Sequence, residues 1–172
     1  MAANVHEARC EAPHGTAAPI VRPEARYGAA AVAGLIAGTI MSMAMMLVAL
    51  LRGQSVWTMP NLIAAMWFGP SVATGAFGLP TMAGFLTHEA TSALMGMIAV
   101  PFIGGLQGGR VLLVSLAYAL ASYPLVFSLV MSWANPAMYR RAPMFQMTWG
   151  HLIFGAVFAI AYAKLALRPA EP

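Results

Sequence analysis

Residues 27–51 read YGAAAVAGLIAGTIMSMAMMLVALL, twenty-five positions that hold no charged side chain. As an α-helix this stretch is about 37 Å long at 1.5 Å per residue, enough to cross a hydrocarbon core of roughly 30 Å. Lipid offers the backbone no hydrogen-bond partners. A helix, which satisfies its peptide groups internally, is therefore the form the segment must take.

The rest of the chain divides in the same way. A second span is expected over about 81–105, after Pro80 and before the Gly104–Arg110 turn, with Glu89 as its only charge. A third runs over about 111–134, ends at Asn135-Pro136, and should kink at Pro124. A fourth covers about 148–167, closed by Arg168 and Pro169. The fold class is thus all-α: a polytopic membrane protein with four transmembrane helices in a bundle. Residues 53–80 are apolar but cut by Pro60, Pro70 and Pro80, so they should lie in the interface or re-enter on the outer side. Residues 1–26, rich in Ala, Pro, His and Glu, form a polar tail lacking a signal peptide's apolar core, and 168–172 form a second short tail.

Composition agrees. Apolar residues make up 60% and charged ones 8%, and Asp is absent; a soluble domain carries about 25% charged residues. The net charge of +4 does not point to nucleic acid, because the basic residues sit in the gaps between apolar runs. Placing both termini in the cytoplasm puts Arg9, Arg22, Arg26, Arg110, Lys164 and Arg168 inside, against Arg52, Arg140 and Arg141 outside. In that orientation Trp57, Trp67, Trp133 and Trp149 all mark the outer interface. The single cysteine, Cys10, excludes an internal disulfide.

Small residues at four-residue spacing give the first, second and fourth spans a ridge for close approach in lipid. Ala30, Gly34, Gly38 and Ser42 form one, Gly84, His88, Ser92 and Gly96 a second, and His151, Gly155, Ala159 and Ala163 a third. The second and third ridges predict that the helices carrying His88 and His151 lie side by side.

Few residues can carry chemistry. His88, Glu89 and His151 are the acid-base groups well inside the apolar spans, where ionisable residues mark functional sites. Two imidazoles at similar depth can ligate haem iron or copper, or hydrogen-bond a quinone; each can equally lock helix packing through a hydroxyl or carbonyl. Ser92, Thr91 and Thr148 are the expected second partners of the rings. Glu89 is expected to reach Arg52, Arg140 or Arg141 at the outer interface, or to relay protons. The methionines gather in the outer half, and Met45 and Met46 join the two histidines as candidate ligands for copper, since thioethers suit Cu(I). Methionine is also an ordinary filler of irregular gaps. His6, Cys10 and His14 could share a face only in a helix that Pro13 and Gly15 disfavour. The Gly104–Arg110 turn lacks the Lys-Ser/Thr of a phosphate loop. A Ser-His-Asp set is impossible without Asp.

The segment His151-Leu152-Ile153-Phe154-Gly155-Ala156, together with Thr87-His88, resembles a group of uncharacterised bacterial four-helix integral membrane proteins. These have a His in the second helix and a His-Leu-x-Phe/Tyr-Gly-Ala last helix. The resemblance covers the last three spans and implies the fold, a bacterial inner-membrane location and importance for the two histidines, but no reaction. The long Pro-cut segment and dense methionines depart from that group. The leading expectation is a small non-catalytic accessory subunit that packs in lipid against other subunits of a larger respiratory or redox complex. The alternative is a haem-, copper- or quinone-binding redox protein using His88 and His151.

Overall fold

The computed structural model describes residues 23–166, which contain no strand. In chain order the helices are α1 (Pro23–Leu51), α2 (Thr58–Phe68), α3 (Leu79–Ile103), α4 (Gly109–Val126), α5 (Ser132–Ala134), α6 (Pro136–Arg141) and α7 (Met144–Ala166). Four stretches are long and apolar enough to cross a membrane: α1 from Arg26, α3, the run Gly109–Ala134, and α7. Most of the expected N-terminal tail, with His6, Cys10, His14, Arg9 and Arg22, lies outside the described residues, as does the C-terminal tail with Arg168.

Two helix starts differ from the sequence expectation for one physical reason. Prolines read as breakers are instead helix openers, because the first turn needs no N–H and suits their fixed φ. α3 therefore takes Pro80 into its first turn and α6 opens on Pro136, while α7, with no proline in its own first turn, starts at Met144 and not near Thr148. Pro124 lies inside its span, as expected: α4 runs through it to Val126, and a π-helical turn, Phe127–Met131, follows before α5.

At eleven residues, α2 is about 16 Å long and too short to cross a bilayer core. Gly69 ends it at φ 82°, a conformation side chains disfavour, and a 3-10 turn, Pro70–Thr74, leads toward α3. Buried amides hold this segment down. Asn61 donates to the Gly75 carbonyl at 2.8 Å and accepts from the Thr81 hydroxyl at 2.7 Å. Asn135, beyond α5, donates to the Leu62 carbonyl at 2.8 Å, and its own Oδ1 accepts from the Met138 N–H. Gly84 lets α2 touch α3 at backbone distance, since a Cβ there would overlap the Pro60 carbonyl oxygen. Asn135→Leu should therefore loosen α2 by about 1–2 kcal/mol. Faster amide exchange confined to 58–74 is the expected readout, with α1 and α7 unchanged.

The long helices do not pack as the ridges alone predict. α1 packs along both α3 and α7, and α7 packs along α4. The first two ridges do meet: a Cβ on Gly34 would overlap the Ser92 carbonyl, and one on Gly96 that of Ala30. The third ridge turns elsewhere. Gly155 faces α4, where an added Cβ would lie 2.9 Å from the Ser115 oxygen and 3.1 Å from the Ala119 Cβ. The helices carrying His88 and His151 are consequently not side by side, because α3 and α7 each pack along α1 instead.

Candidate functional site

The arrangement α3, α1, α7, α4 leaves α3 and α4 with little mutual contact. They are tied where the Tyr118 hydroxyl donates to the Met95 carbonyl at 3.0 Å. Between that tie and the cap made by α2 and Asn135 lies a cavity of about 170 Å³. α3 and α4 form its sides, Met41 of α1 and Met147, His151 and Phe154 of α7 its floor, and Ile63 and Met66 of α2 its capped end. Thr91 is both a wall residue and exposed, so the cavity opens sideways between the two helices. The π turn contributes Phe127 and Met131 to the wall; such turns often mark functional positions.

His88 and His151 line this one cavity although their helices do not pack together. Each ring is fixed by a backbone carbonyl, the packing partner the sequence allowed, and not by Ser92, Thr91 or Thr148. His88 Nε2–H donates to the Gly38 carbonyl of α1 at 3.2 Å, and His151 Nδ1–H donates to the Met147 carbonyl one turn back at 2.8 Å. A neutral imidazole that donates through one nitrogen is an acceptor at the other. His88 Nδ1 and His151 Nε2 make no hydrogen bond among the described residues, which leaves one lone pair on each ring. Tyr123 packs on His151 with centroids 4.7 Å apart and the rings tilted by 39°, and its hydroxyl is turned to the Met144 sulfur at 3.0 Å.

The hydroxyls on the wall are largely committed. Thr87 and Thr91 donate to the carbonyls of Ala83 and Thr87, at 2.8 Å each, and Ser122 donates to that of Ala119 at 3.2 Å. Thr87 also accepts from the Trp67 indole at 2.9 Å. Glu89 is separate from the cavity. Its Oε2 is buried without a partner, on the side of α3 that faces Gly38 of α1. Arg52, one of its expected partners, donates instead to Gln146 Oε1 at 3.2 Å.

Size and donor type narrow what fits. A cavity of about 150 Å³ accommodates benzene, so this one matches a single six-membered ring and falls well short of a tetrapyrrole. Two imidazole acceptors suit a ligand that carries O–H donors, or a cation. No group of three or more His, Cys, Asp or Glu side chains that could hold a metal ion occurs among the described residues. Met45 and Met46 are not in this cavity. They line a second, smaller chamber that His88 also borders. Comparison with protein-family models, curated proteins and solved structures finds no match.

Proposed function

We propose that this protein is a small, non-catalytic subunit that holds the ring of a quinol, drawn from the lipid, for a larger redox assembly of the bacterial inner membrane. One observation carries the reading: two histidines from separate helices line one side-open cavity of about 170 Å³, each with one ring nitrogen spent on a carbonyl and one left to accept. A hydroquinone presents two hydroxyl donors on one ring. Its isoprenoid tail would leave through the gap past Thr91 into the bilayer. With the four spans assembled as a bundle and both termini cytoplasmic, the cavity falls in the outer leaflet.

The test uses the full-length chain in lipid nanodiscs and a photoreactive hydroquinone. Labelling should saturate, fall on α3 and α7 peptides around His88 and His151, and be displaced by trimethylhydroquinone. The dimethyl ether of the same ring has no O–H to donate and should displace it poorly. Labelling spread over the lipid-facing surface, or equal displacement by the ether, would sink the proposal. Purification from native membranes in mild detergent should also bring down the partner subunits in fixed ratio.

A further inference from the structure

The second chamber, about 40 Å³, lies beneath α2 and is walled by Met41, Met45 and Met46 of α1, Met59 of α2, Met138 of α6 and Met147 of α7. We infer that it is a binding site for one Cu(I) ion held by thioethers. This rests on residues other than the two free imidazole nitrogens and stands whether or not a quinol binds next door.

The methionines are not spread as gap-fillers would be. Met41, Met45, Met59, Met138 and Met147 are buried, whereas Leu62 is the one buried leucine among the described residues. The exposed large side chains show the reverse, with twelve leucines and only Met43, Met82 and Met144 for methionine. Leucine fills a core with better-defined rotamers, so packing alone gives no reason to place sulfur inside and leucine outside. Four separate elements, α1, α2, α6 and α7, each contribute at least one methionine to the wall of this one small chamber. Gly150 of α7 keeps the floor flat: a Cβ there would come within 3.0 Å of Met41 Cε and 3.4 Å of Met45 Sδ.

The donor chemistry selects the metal. Thioethers are soft, neutral ligands, which favour Cu(I) over Zn²⁺, Mg²⁺ or Ca²⁺. Neutral ligands also leave the bound ion with its single positive charge, and Glu89, one position along α3 from the bordering His88, is the acidic residue within that span.

The experiment takes the full-length protein in nanodiscs, grown with selenomethionine, and loads it anaerobically with Cu(I) against bicinchoninate. One Cu(I) per chain should be retained, and X-ray absorption at the copper edge should show selenium in its first shell. Met45→Leu with Met147→Leu, close in volume, should weaken binding at least tenfold, while Met43→Leu on the exposed face should leave it unchanged. Copper bound without selenium neighbours would place it on the histidines or Cys10 and overturn the inference. So would complete transfer to bicinchoninate, or an equal loss from Met43→Leu. If the double variant does not fold, the selenium shell in the unsubstituted protein still decides the question.

Discussion

Gly96→Leu should dismantle the contact between α1 and α3 and cost the protein more than about 3 kcal/mol, enough to unfold a marginally stable domain. The new side chain would have to pass through the Ala30 carbonyl, which belongs to a helix backbone and has nowhere to move. Across the same seam Gly34 already abuts the Ser92 carbonyl, so shifting α3 outward to relieve one clash opens a void at the other end. The void has a particular consequence. His88 sits on the same ridge as Ser92 and Gly96 and reaches the Gly38 carbonyl only at that backbone spacing. Thermal unfolding in detergent should show the loss, and Gly28→Leu is the control, since nothing lies within 4 Å of a Cβ there. Similar melting of the two variants would contradict the packing described here.

Removing both acceptors, through His88→Leu with His151→Leu, should weaken hydroquinone binding about a hundredfold, with roughly tenfold from each, the worth of one hydrogen bond of about 1.4 kcal/mol. Each single change should act chiefly on affinity, because the carbonyls they release belong to helices. Glu89→Gln should leave the affinity where it was, as that side chain is not part of the wall. An equilibrium titration with trimethylhydroquinone in nanodiscs separates the cases. Unchanged affinity in the double variant would mean that the ring is held by apolar contact alone.

The spans were legible because charge is so rare in this chain that each cluster of it marks a boundary. The ridge of Ala30, Gly34 and Gly38 was legible too, since only backbone-close packing explains small residues at that spacing in lipid. Glycine spacing could not say which neighbour a ridge meets, so Gly155 was assigned to the wrong one. The two histidines stood out as ionisable groups in apolar spans, yet their ring partners were invisible: any carbonyl can accept, and Gly38 and Met147 bear no mark of it. Asn61, Thr81 and Asn135 carry no sequence mark of a shared role, because each is ordinary alone and Asn135 before Pro136 reads only as a breaker. They become a clamp only when α2 folds back. The proline starts were misread for want of context, since the same residue opens one helix and breaks another.

The sideways gap between α3 and α4 alters how a constant for this site is to be expressed. A guest that enters past Thr91 is never dissolved in water at the moment of binding. Occupancy then follows the mole fraction of the guest among the lipids, and encounter is a two-dimensional search. Apparent affinities measured against bulk concentration will drift with the amount of bilayer supplied, even for an unchanged protein. They should collapse onto one curve when plotted per lipid.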